Sequence, residues 1–181
     1  KLSPDQLAAE QVKADERMRT HWKVEGGALV FSGKGDSLCT AEKYGDFDFY
    51  VDWKIPANAD SGIYLRGLPQ VQIWDPANAS QASLGATKGS GGLWNNKGPG
   101  KDGKDPLVKA DKPVGEWNTF HIRMVGDRVT IHLNGQLIVN NSILENLWEQ
   151  GKPIPRAEQI ELQNHGNNLW FKNIYVRPLP Y

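Results

Sequence analysis

Residues 60–75 alternate between apolar and polar side chains, and this pattern constrains the fold more than any other part of the chain. Ile63 and Leu65 are the apolar members of the first half, and Val71 and Ile73 are those of the second half. Because successive side chains of a β-strand point to opposite faces of a sheet, these four share one face. The stretch therefore predicts a β-hairpin with a buried aliphatic face.

The other face of this hairpin combines aromatic rings with planar groups that carry several hydrogen-bond donors. Flat rings stack on the apolar C–H face of a sugar, while guanidinium and amide groups hydrogen-bond its hydroxyls. An ordinary solvated face is instead rich in Lys, Glu and Thr. This face therefore indicates a site for a polyhydroxylated ligand, built from Tyr64, Arg66, Gln70, Gln72 and Trp74.

Most of the remaining chain also has a period of two, and a turn at residues 67–69 joins the strands of the first hairpin. Alternating segments that predict further strands include residues 47–55, 117–125, 128–133, 159–164 and 169–177, the last two as a pair. Such short strands in one domain predict an all-β sandwich or barrel. Ser3 begins the one clear helix with a capping box. We expect an N-terminal helical segment at residues 1–20 and a β-sandwich domain at residues 21–181.

Composition excludes several classes of function. The chain has 21 basic and 21 acidic residues, so it lacks the positive charge of a nucleic-acid-binding protein. No apolar run approaches the length of a membrane span. A single cysteine, Cys39, excludes an internal disulfide and a cysteine-built metal site. The chain begins at Lys1 rather than at a methionine, and we therefore expect that a signal peptide has been removed. We expect the protein to be periplasmic or secreted in a bacterium. It could also be one domain of a longer chain.

Seven short blocks of sequence, in a fixed order, closely resemble the 3-keto-disaccharide hydrolase domain family, formerly a domain of unknown function. The resemblance covers about residues 21–178. It implies a concanavalin A-like jelly-roll β-sandwich, here with a short N-terminal helix. The blocks are Tyr44–Phe47, Asp60–Arg66, Val71–Asp75, Gly115–Thr119, Leu133–Gly135, Ile160–Gly166 and Phe171–Arg177.

The resemblance implies an enzyme that acts on glycosides already oxidised to a ketone at sugar carbon 3. The ketone acidifies the hydrogen on carbon 2, a base removes it, and the carbon-1 substituent leaves by elimination before water adds back. Such a site needs a base near carbon 2 and a group that stabilises the oxyanion at the ketone. A bound divalent metal ion could polarise the ketone instead of an arginine.

The candidate site residues follow from this chemistry and from the alternation of the strands. His165 is the candidate base, because imidazole titrates near neutral pH. Glu161 or Asp52 could orient it, act as base or bind a metal, and Arg66 would stabilise the oxyanion. The expected catalytic residues are His165, Glu161, Asp52 and Arg66. The expected substrate-binding residues are Tyr64, Gln72, Trp74, Trp94, Gln163 and Asp48.

Several alternatives stay open at this stage. Arg66 and Asp52 could be a cross-strand ion pair, and His165 could be a turn histidine bonded to backbone. Trp94 lies in the long glycine-rich segment of residues 85–112, where it could be a ligand lid or a loop anchor. Jelly rolls also host non-catalytic carbohydrate-binding modules, which is the alternative function, and structural sandwiches that dock other domains. Gln70 stands where many family members have a glutamate, which favours the binding module.

Overall fold

The computed structural model describes residues 2–96 and 102–180, and these form a β-sandwich with one N-terminal α-helix. Residues 97–101, which belong to the glycine-rich segment 85–112, lie outside the described residues. The elements are α1 (Pro4–His21), β1 (Trp22–Glu25), β2 (Ala28–Ser32), β3 (Leu38–Cys39), β4 (Phe47–Lys54), β5 (Asp60–Leu65), β6 (Leu68–Trp74), β7 (Asn118–Val125), β8 (Arg128–Leu133), β9 (Gln136–Ile143), β10 (Glu161–Leu162) and β11 (Asn168–Pro178). Two 3₁₀-helical turns, Ala79–Leu84 and Ala86–Lys88, follow β6.

Two antiparallel sheets make up the sandwich. The larger has seven strands in the order β1-β2-β11-β4-β7-β8-β9, and the smaller has four in the order β3-β10-β5-β6. Their inner faces enclose one hydrophobic core, in which the rings of Trp53 and Phe120 lie 5.4 Å apart. The predicted jelly-roll β-sandwich is thus confirmed.

The hairpin predicted from residues 60–75 forms as β5 and β6 of the smaller sheet. Ile63, Leu65, Val71 and Ile73 are each 0% exposed, so the aliphatic face is the core face as predicted. Because the period is two, the polar members of both strands lie on the opposite, outer face of this sheet. That outer face carries the candidate site.

The helix α1 begins as predicted, with Ser3 and Gln6 forming a reciprocal capping box. None of its residues is buried, and Met18 near its C-terminal end packs against the core from a partly buried position. In the described part of the chain, no helix has both the length and the apolar character required to cross a membrane.

Two local predictions are wrong. The β5–β6 turn begins one residue early, at Arg66 and Gly67, whose φ angles of 50° and 70° are both left-handed, as in a two-residue hairpin turn. The predicted pairing of residues 159–164 with 169–177 does not form. β10 pairs with β3 and β5 in the smaller sheet, whereas β11 joins the larger sheet, because the chain crosses between the sheets after β10.

Candidate active site

A groove of about 260 Å³ lies over the outer face of β5 and β6. Polar residues of the hairpin form its floor, the segment after β6 forms one wall, and residues 147 and 148 form part of another. It is lined by Asp60, Tyr64, Gln70, Gln72, Trp74, Gln81, Leu84, Trp94, Leu147, Trp148, Gln163 and His165.

The floor of the groove is a chain of hydrogen bonds that ends on a buried carboxylate. Gln70 Nε2 donates to Gln72 Oε1 at 2.5 Å, and Gln72 Nε2 donates to Asp60 Oδ1 at 2.6 Å. Gln81 Nε2 donates to the other carboxylate oxygen at 2.5 Å. Gly62 makes room for this chain, because a Cβ there would lie 2.7 Å from Gln70 Cδ. The floor is therefore held in place by hydrogen bonds among its own side chains.

Asp60 faces His165 across the groove. Oδ2 of Asp60 lies 3.6 Å from Nδ1 of His165, whose side chain is 53% exposed. Burial raises the pKa of Asp60, while the nearby His165 and the amide groups of Gln72 and Gln81 oppose that rise. A buried carboxylate beside an accessible imidazole is the arrangement that orients a histidine for proton transfer.

Aromatic rings form the walls of the groove. The rings of Trp74 and Trp94 meet edge to face, with centroids 6.0 Å apart, and the Nζ of Lys104 lies 4.0 Å from the centre of the Trp94 ring. Backbone hydrogen bonds also attach the Trp94 segment to β6: Trp94 N donates to Gln70 O, and Gly91 N donates to Gln72 O. The described part of the glycine-rich segment is thus hydrogen-bonded to the edge of the smaller sheet, and Trp94 contributes to the groove wall.

Tyr64, Glu161 and Gln163 meet where β5 pairs with β10. Gln163 Nε2 donates to the Tyr64 hydroxyl at 3.4 Å, and Gln163 Oε1 is buried without a hydrogen-bond partner among the described residues. Glu161 stands opposite Tyr64 in the strand pairing and accepts a hydrogen bond from the Cys39 thiol at 3.6 Å. Burial, and then the charge of Glu161, raises the pKa of Tyr64. The same causes raise the pKa of Cys39 to about 11, so this thiol is a poor nucleophile.

Arg66 does not lie in this groove, which corrects the prediction made from alternation. Its left-handed turn conformation ends the alternation, and its side chain is only 3% exposed. The guanidinium donates to Gly45 O at 2.8 Å, to Pro155 O at 3.3 Å and to Asp46 Oδ1 at 2.7 Å. Arg66 therefore cross-links loops, and it forms an ion pair with Asp46 rather than with Asp52.

Asp48 and Asp52 are also outside the groove, because β4 belongs to the larger sheet. Their side chains lie on its outer face, where Asp52 accepts from Thr119 at 2.6 Å and Asn173 at 2.7 Å. Burial alone would raise the pKa of Asp48, but hydrogen bonds from Arg123, Arg177 and His121 hold it well below its ordinary value. The alternation identified a polar face correctly, but it could not show which sheet that face belongs to.

Some groove residues were missed in the sequence. Asp60 lies four residues before Tyr64 on the same strand, so the period-two pattern could have placed both side chains on one face. Gln81 lies in a 3₁₀-helical turn and Trp148 in a loop, where no periodic signal exists. Of the ten predicted site residues, six line the groove, although their catalytic and binding roles stay predictions: Tyr64, Gln72, Trp74, Trp94, Gln163 and His165.

A larger cavity, of about 710 Å³, lies elsewhere and is lined mainly by residues 143–156 together with Arg66. Its lining contains neither an aromatic ring nor a histidine, so we place the site in the smaller groove. Across residues 2–96 and 102–180, no group of three or more His, Cys, Asp or Glu side chains is arranged to hold a metal ion.

Comparisons with known proteins agree with this architecture. A 3-keto-disaccharide hydrolase from Bacteroides thetaiotaomicron is 22% identical over 215 residues, which cover 91% of this chain and 72% of that protein. The crystal structure of a Parabacteroides distasonis protein, provisionally assigned as a glycosyl hydrolase, superposes with a TM-score of 0.66 and 25% identity, covering 88% of this chain and 91% of that one. The carbohydrate-binding module CBM66 of Bacillus subtilis shares the fold alone, with a TM-score of 0.54, 10% identity and coverage of 86% and 90%.

The family assignment rests on a match over most of the chain. The model of the 3-keto-alpha-glucoside-1,2-lyase-like domain matches residues 8–177, which include β1 to β10, all of β11 except its last residue, and most of the helix. The chain therefore belongs to the 3-keto-alpha-glucoside-1,2-lyase-like domain family.

Proposed function

We propose that the protein hydrolyses 3-keto-glycosides by elimination followed by hydration, and that the groove over β5 and β6 is its active site. The observation that carries the proposal is the pairing of His165 with the buried Asp60 at 3.6 Å inside a groove walled by aromatic rings. Family membership and the name of the Bacteroides relative support the same substrate class. The ordered glutamine floor supplies hydrogen-bonding groups for sugar hydroxyls.

His165 is the base of the proposed reaction. Its neutral imidazole takes the hydrogen from carbon 2, and the electron pair of that C–H bond moves to the ketone as an enolate. The enolate re-forms the ketone, a double bond forms between carbons 1 and 2, and the bond from carbon 1 to the leaving oxygen breaks. The released alkoxide takes the proton that the imidazolium holds, which gives the free alcohol and the neutral histidine. Water then adds across the double bond, with hydroxyl to carbon 1 and hydrogen to carbon 2. The net change is hydrolysis of the glycosidic bond.

With Arg66 outside the groove, the enolate oxygen needs another donor. Tyr64 meets this requirement, because its raised pKa keeps the hydroxyl protonated and able to donate. Amide groups of the floor can add further donors, since neutral donors held in place stabilise a developing oxyanion. Asp60 acts as a positioning residue that favours the imidazole orientation needed for proton transfer.

The test compares turnover of a 3-keto-disaccharide with that of the same disaccharide without the ketone. We expect released sugar only from the oxidised substrate, and we expect His165→Gln to remove most of it while the melting temperature is kept. His132→Gln is the matched control, because His132 stacks against His121 on the other sheet. Tight binding of the disaccharide without turnover would instead identify a carbohydrate-binding module and refute the enzymatic proposal.

A further inference from the structure

One end of the groove carries a tryptophan that the proposed chemistry does not use. Trp148 is 65% exposed, although it lines the same cavity as Asp60 and His165. Its indole Nε1 donates to Gly67 O at 3.3 Å, which fixes the ring beside the β5–β6 turn. A large aromatic ring that is fixed but left in water is a feature of binding surfaces, because its apolar area stays available to a ligand.

The loop that carries Trp148 is ordered from within. Asn146 is 9% exposed, and its Oδ1 accepts from the backbone N–H groups of Trp148 at 3.1 Å and Glu149 at 2.9 Å. Its Nδ2 donates to Pro153 O at 3.1 Å. The buried side chain of Asn146 therefore hydrogen-bonds both to Trp148 itself and to Pro153, beyond it in the loop. Preorganisation of this kind lowers the entropy that a ligand must remove when it stacks on the ring.

Trp148 and the Asp60–His165 pair are at opposite ends of β5. Asp60 is the first residue of the strand, whereas Gly67 lies in the turn that follows its last residue. The side chains of Trp148 and His165 nevertheless line one groove of about 260 Å³, so both belong to a single ligand site.

We infer that Trp148 forms a stacking subsite for the second sugar ring of the substrate, the one released as leaving group, while the 3-keto ring lies at Asp60 and His165. This inference rests on the proposed function. The subsite makes Trp148 a specificity-determining residue, because it contacts a disaccharide but is out of reach of a 3-keto-glycoside with a small leaving group. Its occupant is a pyranose ring, whose C–H face suits an indole.

The experiment measures dissociation constants and kcat/KM for a 3-keto-disaccharide and for the methyl 3-keto-glycoside of the same oxidised sugar. We expect Trp148→Ala to raise the dissociation constant of the disaccharide about tenfold and to lower its kcat/KM about tenfold, the order of one aromatic stacking interaction. Both quantities should stay unchanged for the methyl glycoside. Trp148→Phe should restore most of the loss. Trp117→Ala is the matched control, since that ring contacts Lys54 and Lys172 on the larger sheet.

The outcomes separate the two proposals. Equal losses for the two substrates, or no loss for either, would overturn the subsite. If the wild-type protein binds both compounds but turns over neither, the proposed function fails, and the dissociation constants of Trp148→Ala still decide the subsite. The melting temperature of this variant should match the wild type, because the ring is mostly exposed.

Discussion

Replacing Asp60 by asparagine tests whether this carboxylate serves chemistry rather than stability. Burial raises the pKa of Asp60, so the folded protein binds a proton there more readily than the unfolded chain does. The favourable contribution of Asp60 is therefore complete at low pH. It is lost as pH rises from the unfolded value, ~3.9, through the raised value of the folded state. Within that window, each rise of one pH unit lowers the free energy of unfolding of the wild type by about 1.4 kcal/mol relative to a variant that cannot titrate at this position.

The expected result is a separation of stability from activity. Urea unfolding at several pH values should show that the stability of Asp60→Asn increases relative to that of the wild type as pH rises. Turnover of the 3-keto-glycoside should fall by ~10²-fold, the lower end of what a positioned general base contributes. We expect the lower end because the 3.6 Å between Asp60 Oδ2 and His165 Nδ1 is longer than a close hydrogen bond.

Asp75→Asn is the matched control for this experiment. Asp75 is 4% exposed and ends the same hairpin, but its oxygens accept from the backbone of Asn58 and Ala77, each at 2.8 Å. This variant should lose about 2 kcal/mol of stability, the order of a hydrogen bond to a charged group, and keep its turnover. An Asp60→Asn protein that loses stability at neutral pH and keeps turnover would refute the assignment of Asp60 as a positioning residue.

Further substitutions test other contacts of the site. Arg66→Lys should lower the free energy of unfolding by ~2 kcal/mol and leave kcat unchanged, because Arg66 holds Asp46 and two carbonyls outside the groove; a specific loss of kcat would restore it to the active site. Gly62→Ala should displace Gln70, reduce kcat/KM about tenfold and lower the free energy of unfolding by ~1 to 3 kcal/mol; unaltered kinetics would contradict a role for the ordered floor. Trp94→Ala should weaken substrate binding measured by calorimetry more than it lowers the melting temperature, whereas comparable losses would mark a packing anchor.

The sequence predicted the sandwich and the buried face of its central hairpin because period-two alternation follows directly from strand geometry. Ile63 and Val71 are core residues for that reason, and Tyr64 and Gln72 share the outer face. The same rule failed at Arg66, where the left-handed turn begins and alternation ends.

Other parts of the site depend on long-range pairing, which alternation does not encode. Asp48 and Asp52 lie on a polar face as predicted, but the pairing of β4 with β7 and β11 places that face on the larger sheet. Trp148 reaches the groove through a loop closed by Asn146. Only the folded chain brings that loop to the β5–β6 turn.

Exchange of the carbon-2 hydrogen with solvent tests the central claim most directly. A 3-keto-glycoside is turned over in heavy water, and the deuterium content at carbon 2 of the released 3-keto sugar is measured by mass spectrometry and NMR. The proposed elimination and hydration predict deuterium at carbon 2 in the product, at a rate that falls with His165→Gln. Product that keeps its original hydrogen at carbon 2 after complete turnover would contradict the mechanism.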